Sequence, residues 1–154
     1  MKKIILALIF ILNSAFSCEA FNIDLRDWTL MSEFVTPLIL DATSEDLGRV
    51  VYQNYQRISP HGTLEIILTE GKGSGWLYVP EYVDNSKKLM PASEYKILEI
   101  DGHKAIFERQ PHLPPALSVY VDESRVLNIE SPALKQEELI SIAREILSSW
   151  KNTK

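Results

Sequence analysis

Tyr95-Lys-Ile-Leu-Glu-Ile100, Asp101-Gly102 and Lys104-Ala-Ile-Phe-Glu-Arg109 decide how the chain is read. Two short runs of strand-forming residues flank Asp-Gly, the dipeptide that best accepts the positive φ angles of a tight hairpin turn. A second pair follows at once: Ala116-Leu-Ser-Val-Tyr-Val121 and Arg125-Val-Leu-Asn-Ile-Glu130, joined through Asp122-Glu-Ser124. Ser131-Pro132 then opens a helix running to about Trp150. Its apolar residues Leu139, Ile142, Ala143, Ile146 and Trp150 recur every three or four positions. An amphipathic helix needs an apolar surface to lie on, and the hairpins supply one. The expectation is an α+β fold: one antiparallel sheet of about five to seven strands, with the C-terminal helix across one face.

Upstream, Arg49–Ile58 and Thr63–Thr69 form a further hairpin around Ser59-Pro60-His61-Gly62. In its second strand Leu64, Ile66 and Leu68 share one face, while Thr63, Glu65 and Thr69 take the other. That pattern describes a strand covered on one side and wet on the other. Pro37 places the strand from Phe34 to Leu40 at an edge. Phe21–Trp28 reads as a short strand or a helical turn, and Trp28, Leu30, Phe34 and Val35 are expected to pack on the core. Trp76-Leu-Tyr-Val79 resumes the strand pattern after the glycines at 71, 73 and 75. Glu81–Ala92 reads as a loop or short helix over the sheet, and the three prolines among residues 111–115 as a stiff connector.

The first 20 residues carry the marks of an export signal. Lys2-Lys3 precede an uncharged run from Ile4 to Leu12, and small and polar residues follow. The run is too short to span a bilayer as a helix. Cleavage after Ala20 puts Cys18 and Ala20 at the small positions. Cleavage after Ser17 would instead leave Cys18 first, as in a lipid-anchored envelope component. On the former cut, dropping residues 1–20 from the 154 leaves a single globular domain of 134 residues, 21–154. It would be periplasmic or secreted, with no transmembrane segment, and large enough to bury a core unaided. Cys18 is the only cysteine, so this mature chain has no thiolate or disulfide chemistry. Removing Lys2, Lys3 and Glu19 from the 16 basic and 21 acidic side chains leaves 14 and 20, with no basic block. Nucleic acid is not an expected partner.

No motif carries recognisable catalysis. Gly71-Lys72-Gly73-Ser74 lacks the earlier glycine of a phosphate-binding loop, where Ile66 stands. His61, His103 and His112 form no paired ligand motif, so no metal or other cofactor is expected. Ser74, Ser93 and Ser118 sit in no nucleophile elbow. The aromatic residues are the functional lead. Trp76, Tyr78, Tyr82, Tyr55 and Tyr120 lie on or beside expected strands, and together could line a groove for an unidentified protein or small apolar ligand. Against this stands ordinary cross-strand packing, since period-two alternation puts Tyr52 and Tyr55 on opposite faces.

Leu127-Asn-Ile-Glu130 and Glu138-Leu-Ile-Ser-Ile-Ala-Arg144, following paired strands and a crossing loop, resemble small secreted bacterial domains of unassigned function, whose antiparallel sheet with flanking helices is similar to the PsbP-like fold group. The matching residues are packing residues. The resemblance implies an accessory or binding role in the cell envelope and no catalytic residue. A non-catalytic binding protein is thus the expected function, with a small periplasmic hydrolase or a Cys18-anchored envelope component as the alternatives.

Overall fold

The computed structural model describes residues 23–37, 48–71 and 79–151. Seven strands form one antiparallel sheet: β1 (Thr29–Pro37), β2 (Gly48–Arg57), β3 (Gly62–Gly71), β4 (Glu94–Ile100), β5 (His103–Arg109), β6 (Ala116–Asp122) and β7 (Arg125–Glu130). Two helices accompany it, α1 (Val79–Leu89) and α2 (Gln136–Lys151). The strand order is β1-β2-β3-β7-β6-β5-β4, with β1 and β4 at the edges.

Three hairpins account for half of the six strand pairings, and turn chemistry explains two of them. Asp101 and Gly102 take φ of 51° and 85°, the left-handed pair that brings Ile100 opposite His103. Between β6 and β7, Asp122 accepts hydrogen bonds from the Ser124 amide and hydroxyl and from Arg125, which pairs with it at 2.5 Å. Burial opposes ionisation of Asp122, but these bonds prevail and hold its carboxyl below the ordinary value. The β2–β3 loop at residues 58–61 contains a cis Ser59–Pro60 bond. Of the other links, β1–β2 and β5–β6 join consecutive strands, and one is long-range: β3 pairs with β7, from Glu65 opposite Glu130 to Glu70 opposite Arg125.

The two faces of the sheet differ. One holds the main core, where Leu64, Ile66, Phe107, Leu117, Leu127 and Ile129 lie under Leu139, Ala143 and Ile146 of α2. On the other face α1 inserts Val83 against Tyr95, Ile106 and Tyr120. It therefore covers only the β4–β6 end of the sheet.

Several details depart from the sequence reading. The C-terminal helix begins at Gln136, not Pro132. The fully buried Ser131 donates its hydroxyl to the Thr63 carbonyl and accepts the Ala133 amide. It thus ties the strand end to β3 and turns residues 132–133 before the helix can start. The cap is instead Lys135, whose amide donates to Glu138. Val79 opens α1 and does not continue a strand, with Pro80 at a first-turn position where its missing N–H costs nothing. Residues 23–28 form no strand or helix; they hold a turn closed by the Trp28 amide on the Leu25 carbonyl. Trp28 does pack on the core, under the Arg57 guanidinium at 4.8 Å. Leu30, Phe34 and Val35 do not: they are exposed, because β1 is the edge strand and neither helix packs against it.

Candidate functional site

On the face opposite α2, the part of the sheet that α1 does not reach contains the candidate site. Cross-strand register writes its rows. Phe34 stands opposite Tyr52, and their rings stack at 4.5 Å between centroids with 7° between planes. The next row runs Ser32, Asn54, Glu65, Glu130, Ala116 and Glu108 across β1, β2, β3, β7, β6 and β5. Above this row lies a cleft of about 380 Å³. Asn54, Gln56, Thr63, Glu65 and Glu130 line it, and Met31, Pro114 and Pro132 contribute apolar edges. Local rules position each edge. Met31 is the extra residue of a bulge in β1, and Pro114 belongs to the proline-stiffened connector between β5 and β6. A smaller cleft of about 160 Å³, lined by Glu108, Gln110 and Leu113, adjoins it and shares Pro114 and Glu130.

The floor is hydrogen-bonding and acidic. Directly opposed side chains on neighbouring antiparallel strands have Cβ atoms about 5 Å apart, and like charges there repel. Glu65 and Glu130 occupy such a pair, and among the described residues no ion pair neutralises either. The Glu130 carboxyl is accordingly raised from its ordinary value, first by burial, then by Glu65, then by Glu108. Gln110 donates to Glu108, so the third carboxylate of the row has an amide partner. The cleft therefore offers amide, hydroxyl and carboxylate oxygens to a cationic or donor-rich group.

The aromatic groove anticipated from sequence is distributed differently. Tyr55 borders the cleft, but its side chain is 3% exposed and belongs to the α2 face. Its hydroxyl lies 2.9 Å from Gln53 Oε1 and 3.2 Å from the Ile23 carbonyl, and its single proton serves one of them at a time. Tyr120 is half-buried beneath α1 on the opposite face. Trp76 and Tyr78 lie outside the described residues. Tyr82 falls within α1, but its side chain is likewise outside what is described. The aromatic pair present on the open face is Phe34–Tyr52.

His103 Nδ1 meets the Val121 carbonyl at 3.0 Å, and among the described residues neither His103 nor His112 bonds a serine or carboxylate side chain. Among those residues no group of three or more His, Cys, Asp or Glu is placed to hold a metal ion. Nor is any helix among them long and apolar enough to cross a membrane. The row Asn54–Glu65–Glu130 escaped sequence reading because it needs the β3–β7 pairing; its one local signal was the polar face of Thr63 and Glu65. No known family model matches the chain, and neither do curated protein sequences or solved structures.

Proposed function

We propose that the protein is an exported, non-catalytic binding protein of the cell envelope, and that the cleft over Glu65 and Glu130 receives a cationic group of its partner. One observation carries this reading. Two carboxylates face each other on the floor of a cleft, and among the described residues no positive side chain neutralises them. An approaching ammonium or guanidinium would relieve their repulsion, favour the charged form of Glu130 and meet acceptors at Asn54, Gln56 and Thr63. Export rests on Lys2-Lys3, the apolar run to Leu12 and the small residues before Phe21. Kinship with the PsbP-like group belongs to the same proposal and rests on Leu127–Glu130 and Glu138–Arg144.

Calorimetric titration with a short lysine-rich peptide and with spermidine tests the cleft. Binding that weakens with salt, and at least tenfold in the Glu65→Gln/Glu130→Gln double variant, supports the reading. No binding, or binding indifferent to that variant, overturns it. Intact mass of protein taken from its native envelope tests export. A chain starting at Phe21 supports a free domain, acylated Cys18 an anchored one, and an unprocessed chain starting at Met1 overturns export.

A further inference from the structure

We infer that β1 is a self-association edge, which pairs antiparallel with β1 of a second copy about a two-fold axis through Phe34, independently of any ligand in the cleft. Thr29–Pro37 is the most apolar exposed stretch among the described residues. Leu30, Met31, Phe34 and Val35 are 46%, 60%, 57% and 40% exposed on one edge strand. Its single charge, Glu33, points to the α2 face and accepts from the Gln53 amide. The opposite edge, β4, is instead protected by charge, with Glu94, Lys96 and Glu99 along its length and a Glu94–Lys96 ion pair at 2.7 Å.

Symmetry and sequence together select the occupant and the register. A two-fold axis normal to a continuous sheet keeps each face on its own side, so paired residues must share a face and the axis must pass through a residue. The regular part of β1 lies between the bulge at Met31 and Pro37, which has no N–H to donate. An axis through Glu33 would oppose two glutamates. One through Val35 would bring Pro37 into the ladder. An axis through Phe34 pairs Ser32 with Thr36, Glu33 with Val35 and Phe34 with itself, which opposes no like charges. It also extends an existing stack. The outer face of the Phe34 ring, already on Tyr52 at 4.5 Å, would meet its symmetry mate, giving Tyr52, Phe34, Phe34 and Tyr52 in line across the junction.

Sedimentation of the purified protein over a micromolar concentration series, with Cys18→Ser throughout, tests the inference. A reversible dimer is expected. Phe34→Lys should weaken it at least tenfold, and Ile97→Lys, at a comparably exposed position on β4, should leave it unchanged. The register is read separately. Ser32→Cys/Thr36→Cys in one chain should give a disulfide-linked dimer under mild oxidation, whereas either cysteine alone should not. A monomer at every concentration without that cross-link overturns the inference, including the case in which β1 serves a different protein's strand. A dimer that survives Phe34→Lys overturns it as well.

Discussion

At the scale of single residues, two titratable groups define the two faces. Glu130 is raised because burial and the carboxylates of Glu65 and Glu108 all disfavour its charge. A folded pKa above the unfolded one means that its stabilising contribution is complete below the unfolded carboxylate range. That contribution is lost as pH rises through the folded value. Glu130→Gln should therefore raise the melting temperature at neutral pH and remove part of the stability lost between acid and neutral conditions, as thermal melts across that range would show. On the other face, burial chiefly, then Glu33 and Asp24, push the Tyr55 phenol up to about 12. Its contribution is complete below about pH 10, the unfolded value, and disappears as pH climbs through the folded one. Tyr55→Phe should cost about 1–2 kcal/mol at neutral pH, through the lost bond to Gln53 or Ile23, and flatten the alkaline decline. Denaturant melts at neutral and alkaline pH check both halves. Neither environment was legible locally. The strand alternation separates Tyr52 from Tyr55, but only the packed sheet says that Tyr55 faces α2 while Glu130 faces a cleft.

Elements carry the next set of expectations. Helix α2 was evident from its apolar spacing, and its buried side is the anticipated one: Leu139, Ile142, Ala143 and Ile146. Ile146→Ala should cost about 2–5 kcal/mol, as for fully buried aliphatic side chains that leave a cavity. The start of the helix was misplaced by local rules, since Ser131-Pro132 imitates a cap followed by a first-turn proline. The oxygen that would cap the helix accepts the Ala133 amide in a local turn, while its proton goes to the Thr63 carbonyl on another strand at 2.5 Å, an anchor no local window contains. Ser131→Ala should consequently cost about 1–3 kcal/mol without shortening the helix, the loss being a buried bond between sheet segments. Equilibrium denaturation with the helical circular dichroism signal as a second readout separates those effects.

For the whole molecule, the sheet has an uneven build. Three N-terminal strands join four C-terminal ones through the β3–β7 ladder alone, and the helices shield the centre and the β4 side more than β1. Protection from hydrogen exchange should therefore peak along Ile66–Leu68, Leu127–Ile129 and the middle of α2 and fall to its lowest on the outward amides of β1, as exchange measured residue by residue would reveal. Rising protein concentration should selectively slow those β1 amides if the edge pairs as inferred.

The sequence alone determined what depends on near neighbours. The Asp101-Gly102 turn, the β2–β3 and β6–β7 hairpins, the edge position imposed by Pro37 and the apolar side of α2 all follow from dihedral preference and periodicity over a few residues. Tertiary structure alone decided which hairpins adjoin, and with that which side chains meet. Strand pairing between β3 and β7 is a long-range choice, set by burying both apolar faces under one helix and not by any turn between them. That choice places Glu65 opposite Glu130 on the floor of a cleft and leaves Phe34 exposed on the edge strand. The cleft and the edge are thus properties of strands brought together from distant parts of the chain.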